Sequence, residues 1–143
     1  MELKTIRASK AYFDTNLFIY LIEKHPAYVE EVTALIQHLD AIGCQVLTSE
    51  LTLAECLVKP FADKDVNSQE RYQQGIQSSV FLDVKPVSKK ILVRSAQLRA
   101  ELNNKLPDSI HLATAIEHGC GVFIGNDKSL KSNSEIQLHL LMQ

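Results

Sequence analysis

Short apolar segments alternate with longer segments of helical periodicity along the chain. Four of the short segments are rich in aliphatic and aromatic side chains, which is typical of strands in a buried sheet. A fifth segment alternates apolar and polar residues, the period-two pattern of an edge strand. The predicted strands cover residues 12–13, 45–48, 80–84, 122–124 and 136–142.

Between these strands, apolar residues recur with a period near 3.6, which predicts helices. The clearest pattern covers residues 27–42 and is followed by a glycine in the position after a C-cap. The predicted helices cover residues 17–22, 27–42, 50–58, 67–78, 89–103 and 108–118. The residues predicted to cap or end them are Gly43, Ser49, Pro60, Asn67, Ser88 and Gly119.

Strands separated by helices form right-handed βαβ units. The sequence therefore predicts an α/β fold with three layers, in which a central, mostly parallel sheet of four or five short strands carries helices on both faces. A chain of 143 residues fits one compact domain over residues 1–143.

Net charge, cysteine spacing and apolar segments limit the kinds of protein that the sequence can encode. The net charge of −2 is not that of a strongly basic nucleic-acid-binding domain, so any RNA or DNA must be bound by a local patch. Cys44, Cys56 and Cys120 show no C-x-x-C spacing, which indicates reduced thiols in a cytoplasmic protein. Residues 1–10 lack an apolar signal region, and the apolar run at 17–22 is too short to cross a membrane.

Four acidic residues follow a predicted strand or open a predicted helix: Asp14, Glu55, Asp108 and Asp127. In open α/β sheets, ligands bind at the edge where the carboxyl ends of the strands meet. If the carboxylates converge there, two unit charges about 4 Å apart repel by roughly 1 kcal/mol in water and about 4 kcal/mol at an effective dielectric of 20. A retained proton or bound divalent cations would relieve this repulsion. Oxygen ligands without paired Cys or His favour Mg²⁺ or Mn²⁺ over zinc.

Each acid also has a purely structural explanation. Asp14 and Asp108 suit helix N-termini, and Asp127 suits a turn. Glu55 is the strongest candidate, because Leu51 and Val58 place it along the apolar stripe of its own helix. A buried carboxylate without a partner is costly. The pattern therefore predicts that Glu55 is buried and is protonated, paired with a cation or bound to metal.

Other chemistries find less support. His111 and His118 lie two helical turns apart without a third ligand at recognised spacing, so we interpret them as core or surface residues rather than zinc ligands. No glycine-rich phosphate loop or nucleophile elbow occurs. Asp14 also suits an aspartate-based phosphatase, but Asn16 stands where such an enzyme needs a second acid.

Four motifs occur in a fixed order: Phe13-Asp14-Thr15-Asn16, then Ser49 with Leu53-Ala54-Glu55, then Pro107-Asp108-Ser109-Ile110-His111-Leu112-Ala113-Thr114-Ala115, then Gly125-Asn126-Asp127-Lys128-Ser129-Leu130. As an ordered series over roughly residues 10–140, they closely resemble the PIN-domain ribonucleases. The nearest likeness is to the VapC-type toxins of prokaryotic toxin–antitoxin pairs.

The resemblance implies a three-layer α/β/α domain, often dimeric, that cuts RNA with Mg²⁺ or Mn²⁺. The implied metal ligands are Asp14, Glu55, Asp108 and Asp127, with Asn16, Ser49 and Asn126 orienting them. It also implies a small cognate antitoxin whose C-terminal segment lies along the acidic groove. Such proteins often carry Thr or Ser where this chain has Gly125, so a hydroxyl that steadies the site is missing.

The sequence hypothesis is metal-assisted phosphodiester hydrolysis that leaves 5′-phosphate and 3′-hydroxyl ends. Asp14 is the central ligand, Asp108 and Asp127 are its partners, and Glu55 is either a ligand through water or the base on the attacking water. The alternative is a degenerate domain that binds RNA or a partner without catalysis. Candidate phosphate-binding residues are Lys59, Lys64, Arg71, Lys85, Lys89, Lys90, Lys128 and Lys131.

Overall fold

A single parallel sheet of five strands forms the centre of the protein, whose computed structural model describes residues 5–141. All neighbouring strands pair in parallel, in the order β3-β2-β1-β4-β5. The strands are β1 (Lys10–Phe13), β2 (Gln45–Ser49), β3 (Leu82–Lys85), β4 (Val122–Gly125) and β5 (Gln137–Leu140). The predicted edge strand is therefore present as β5, although Met142, the last apolar position of its pattern, lies outside the described residues.

Helices cover both faces of this sheet, so the predicted three-layer α/β/α fold is confirmed. Alternate side chains of β1 separate the two cores: Phe13 packs with the apolar side chains of the first four helices, and Tyr12 packs with those of the last two. The helices are α1 (Thr15–Ile22), α2 (Val29–Ala41), α3 (Glu50–Ala62), α4 (Val66–Gly75), α5 (Lys89–Leu102) and α6 (Leu106–Glu117).

Several predicted helix ends are confirmed by local geometry. The hydroxyls of Ser49 and Ser88 accept hydrogen bonds from the backbone amides of Leu51 and Ile91 at 3.1 and 3.2 Å, as N-caps do. Gly43 and Gly119 follow α2 and α6 with φ of 71° and 76°, the left-handed conformation that favours glycine after a C-cap.

Two predicted boundaries are wrong around Pro60. The helix predicted to stop before it continues to Ala62, because Pro60 is buried and the loss of one backbone amide is outweighed by this packing. The next helix begins at Val66 rather than after Asn67, since the Asp65 carboxylate accepts from the Ser68 amide at 3.1 Å and acts as the N-cap. That helix ends at Gly75, three residues before the predicted end.

Smaller corrections concern strand β3 and helix α5. Val80 is fully exposed, and β3 begins two residues later at Leu82. Leu92, which the periodicity predicts to face the core, is 48% exposed, because the buried stripe of α5 runs through Ile91, Ser95 and Leu98. None of the helices within residues 5–141 is long and apolar enough to cross a membrane.

Candidate active site

The order in which strands join the sheet reverses at β1, and the acidic residues lie at this point of the sheet. After β1 the chain adds β2 and β3 on one side, whereas β4 and β5 lie on the other. In open parallel sheets the crevice beyond the carboxyl ends of the strands at such a reversal is the usual ligand site. Asp14 directly follows β1, and Asp127 lies two residues beyond β4. The topology thus explains why residues far apart in sequence approach one another.

Asp14 occupies the centre of this crevice. Its amide donates to the Ile124 carbonyl at 3.0 Å, which extends the β1–β4 pairing to the end of the strand. Its Oδ1 accepts from the Thr15 amide at 2.8 Å, so the residue also caps α1. The residue is only 8% exposed. Both the predicted capping role and a position inside the acidic crevice therefore apply to the same carboxylate.

Asp127 and Asp108 approach the crevice from two further elements. Asp127 lies in the turn after β4, where its Oδ1 accepts from the Ser129 amide at 2.9 Å and from the Ser129 hydroxyl at 2.6 Å. These bonds hold the pKa of Asp127 below its ordinary value. Asp108 lies in the first turn of α6, half-buried, and its carboxylate accepts no hydrogen bond from the described residues.

The pKa values of Asp14 and Asp108 are raised in part by the charges of the other acids. Burial raises the pKa of Asp14, and the charges of Glu55 and Asp127 raise it further against the opposing effects of His111 and the Thr15 amide. Burial also raises the pKa of Asp108, followed by the charges of Asp14 and Asp127. The four acids therefore share one field of negative charge, which a cation would relieve.

The predicted burial of Glu55 is wrong. Its side chain is 35% exposed, because the buried stripe of α3 runs through Thr52, Cys56 and Pro60 and leaves Glu55 at the border. Partial burial raises the pKa of Glu55, but hydrogen bonding to His111 and Thr15 outweighs this effect and lowers the pKa on balance. Glu55 is thus an ionised, anchored carboxylate at the rim of the crevice.

His111 is the residue that sequence reasoning missed. This buried ring places Nε2 2.5 Å from Glu55 Oε1, 3.2 Å from Thr15 Oγ1 and 3.9 Å from Asp14 Oδ1. Its Nδ1 lies 2.7 Å from the hydroxyl of the buried Tyr12. A signal was present, since His111 follows Asp108 by three residues on α6 and so shares its helix face.

His118, considered together with His111 in the sequence, lies elsewhere. It caps the opposite end of α6, and its carbonyl accepts from Lys10 Nζ at 3.2 Å. The two histidines therefore do not form one site.

The three predicted supporting residues have different surroundings. Ser49 caps α3, the helix that carries Glu55. The Asn126 amide donates to the Tyr20 hydroxyl at 3.1 Å and so ties the turn after β4 to α1. Asn16 lies half-buried in the first turn of α1, and its side chain forms no hydrogen bond within residues 5–141.

Gly125 allows β4 to pass close to Asp14. A Cβ atom at this position would lie 3.3 Å from Asp14 Oδ2, closer than most Cβ contacts, and 3.4 Å from Asp14 Cβ, which is an ordinary van der Waals contact. Gly125 therefore leaves the Asp14 carboxylate room that a larger residue would partly fill, a role that the sequence did not reveal.

The donor set fits a hard divalent cation bound largely through water. Each of the four carboxylates keeps at least one oxygen that accepts no hydrogen bond from residues 5–141, including Asp14 Oδ2 and both oxygens of Asp108. Within the same residues, no three His, Cys, Asp or Glu side chains are arranged to hold a metal ion directly. Mg²⁺ typically keeps several waters and takes only one or two carboxylates, so the two observations agree.

Fold and site together define an α/β/α protein with an acidic crevice at the reversal point of its sheet. The model of the PIN domain family matches residues 11–135. The chain therefore belongs to the PIN-domain family, and the resemblance predicted from the ordered motifs is confirmed. Among proteins of curated function, none gives a significant match.

Three solved structures are similar to the chain over most of its length. One is VapBC2 from Rickettsia felis bound to a DNA fragment from its promoter, with 20% identity and a TM-score of 0.70 over 93% of this chain and 99% of that chain. A toxin–antitoxin complex from Klebsiella pneumoniae is 29% identical, with a TM-score of 0.66 over 88% and 94%. DNA-bound VapBC from Salmonella typhimurium is 20% identical, with a TM-score of 0.64 over 92% and 97%.

Proposed function

We propose that this protein, as a single PIN domain over residues 1–143, is a VapC-like endoribonuclease that requires Mg²⁺ or Mn²⁺. The observation that carries the proposal is the acidic crevice. The charges of neighbouring carboxylates raise the pKa of Asp14 and Asp108 beyond the effect of burial, and each of the four carboxylates keeps an oxygen that accepts no hydrogen bond from the described residues. Membership of the PIN family supports nuclease chemistry on this site. The similar toxin–antitoxin complexes support a toxin that is restrained by a cognate antitoxin.

Asp14 would be the central ligand of the metal, Asp108 and Asp127 would be its partners through direct or water-mediated contacts, and Glu55 would bind it through water. When bound, Mg²⁺ or Mn²⁺ supplies positive charge that lowers the pKa of water and stabilises the negative charge on the scissile phosphate. Asp14 is suited to the central position because its free Oδ2 faces the space beside Gly125. The buried position and the N-cap bond fix this oxygen before substrate arrives, so little reorganisation is needed.

We assign Glu55 the role of orienting the attacking water rather than that of the general base. An effective base has a pKa near the working pH, whereas the pKa of Glu55 is lowered on balance by its hydrogen bonds. Its Oε1 is occupied by Thr15 and His111, which leaves Oε2 to accept a hydrogen bond from the attacking water. Attack on phosphorus breaks the bond to the 3′ oxygen, which takes a proton and leaves as a 3′-hydroxyl, while the phosphate stays on the 5′ end.

Two further properties belong to the same proposal. The three cysteines are free and buried, which supports action in the reducing cytoplasm. The family resemblance also supports a homodimer, which sedimentation of the purified protein tests.

The decisive experiment is incubation of the purified protein with RNA and Mn²⁺, with and without chelator, beside an Asp14→Asn variant. We expect cleavage only by the unaltered protein with metal. Asp40→Asn serves as the matched control, because Asp40 lies exposed near the end of α2. Cleavage by Asp14→Asn at the unaltered rate would show that another site or a contaminant is responsible, and absence of all cleavage would favour a non-catalytic module.

A further inference from the structure

A cavity lined by three lysines opens beside the acidic crevice. It has a volume of about 460 Å³ and lies between the start of α6 and the loop after β4. Asp108, one of the four acids, forms part of its wall, so the cavity is continuous with the proposed catalytic site. Lys105, Lys128 and Lys131 supply its positive charge. This volume lies within the range of about 300–1,000 Å³ in which small ligands bind.

The two sides of this cavity are fixed to each other. The side chain of Asn104, itself only 5% exposed, donates to the Lys131 carbonyl at 2.8 Å and accepts from the Lys131 amide at 3.0 Å. The guanidinium of Arg99 donates to the Asn104 carbonyl. The loop before α6 and the loop after β4 therefore form one unit, and the backbone positions that carry the lysines are held relative to each other.

The three lysines differ from Lys85 and Lys90 in having no ion-pair partner within residues 5–141. Lys85 and Lys90 form ion pairs with Asp83 and Glu117 at 2.7 and 3.1 Å. In contrast, none of the ammonium groups around the cavity forms an ion pair with a residue of the described chain. The charge of Lys105 does contribute to the lowered pKa of Asp127. Three lysines without an ion-pair partner in this part of the chain repel one another, and a bound anion relieves the part of this repulsion that the neighbouring Asp108 does not.

We propose that this cavity binds backbone phosphates of single-stranded RNA next to the scissile phosphate, through Lys105, Lys128 and Lys131. The inference rests on the proposed ribonuclease function and deepens it, because it assigns the side of the crevice along which the RNA strand lies. Of the cationic candidates identified in the sequence, it selects Lys128 and Lys131 and adds Lys105. A phosphodiester backbone fits the cavity because it presents several negative charges in succession to the three lysines that line it.

Binding of a short fluorescent oligouridylate tests this proposal, measured by anisotropy over a range of salt concentrations in the presence of chelator. Each lysine–phosphate contact on single strands contributes about 0.7 to the slope of log affinity against log salt. We expect a slope reduced by about 1.4 in Lys128→Gln/Lys131→Gln and by about 2 when Lys105→Gln is added. These variants should fold, because Lys105 and Lys131 stabilise the loops through backbone atoms only.

The matched control is Lys24→Gln, which removes one charge in the exposed turn after α1 and is compared with Lys131→Gln alone. Its slope should equal that of the unaltered protein. An unchanged slope in the cavity variants, an equal loss in the control, or no salt-dependent RNA binding at all would overturn the proposal. Salt-dependent binding that the cavity variants lose, in a protein that does not cleave RNA with Mn²⁺, would support the cavity while contradicting the ribonuclease function.

Discussion

Replacing Asp14 with Asn should make the metal-free protein more stable while abolishing cleavage. The substitution removes the charge but keeps the N-cap, because an asparagine oxygen accepts from the Thr15 amide as the aspartate does at 2.8 Å. Burial is the main cause of the raised pKa of Asp14, with the charges of Glu55 and Asp127 adding to it. Ionising this carboxylate in the folded protein therefore carries a free-energy cost that the variant does not have.

The size of the effect follows from Coulomb's law. Asp14 Oδ1 and Glu55 Oε1 lie 3.9 and 2.5 Å from the same atom, His111 Nε2. Two unit charges about 6 Å apart repel by roughly 3 kcal/mol at an effective dielectric of 20. Attraction by His111 and the Thr15 amide offsets part of the repulsion and burial. We expect a net gain of about 1–2 kcal/mol in the free energy of unfolding near neutral pH, which raises Tm by roughly 3–8 °C in a domain of this size.

The gain in stability from Asp14→Asn should depend on pH. Because the folded-state pKa of Asp14 is raised above its ordinary value of 3.8, its contribution to stability is fully present below that value and is lost as the pH rises through the folded-state pKa. The stability difference between Asp14→Asn and the unaltered protein should therefore be small in acid and grow toward neutral pH.

Urea denaturation with chelator, at several pH values, measures this difference. Glu70→Gln is the control, since Glu70 is an exposed residue of α4. A variant that is less stable than the unaltered protein at neutral pH, or a difference that does not change with pH, would refute the electrostatic reasoning.

Three further predictions concern contacts around the crevice. His111→Leu should cost about 1–3 kcal/mol by removing the 2.7 Å contact with the buried Tyr12 hydroxyl, and Tyr12→Phe in the same protein should recover the part of the loss that this contact causes in urea denaturation, whereas strictly additive losses would contradict the contact. Gly125→Ala should crowd Asp14 and slow RNA cleavage roughly tenfold or more while the free energy of unfolding changes by less than about 1 kcal/mol; an unchanged rate would show that the close approach is unimportant. Asn104→Ala should cost about 1–3 kcal/mol and speed amide exchange in residues 127–131, and unchanged exchange would show that the loops are fixed by other contacts.

The order and type of the helices and strands can be predicted from the sequence, because capping residues and apolar periodicity act over a few residues. Ser49 and Ser88 hold amides within three residues, and Gly43 needs only its own backbone conformation. Pro60 was misinterpreted because a local preference against helix before proline was overridden by burial against residues that local reasoning does not see.

The site was predictable in outline but not in its contacts. The positions of Asp14 and Asp127 beyond two strands indicated a shared edge, and the reversal of strand order at β1 explains it. The bond from His111 to Glu55 depends on how α6 and α3 meet across the crevice, a distance of 56 residues in sequence. Glu55 was predicted to be buried because helical periodicity alone does not separate the centre of an apolar stripe from its border.

Calorimetric titration with Mn²⁺ tests most directly whether the four carboxylates form one metal site. The account predicts saturable uptake by the unaltered protein, strong weakening in Asp14→Asn and in Asp108→Asn, and no change in Asp40→Asn. Uptake that is absent in the unaltered protein, or equal in all four proteins, would contradict it.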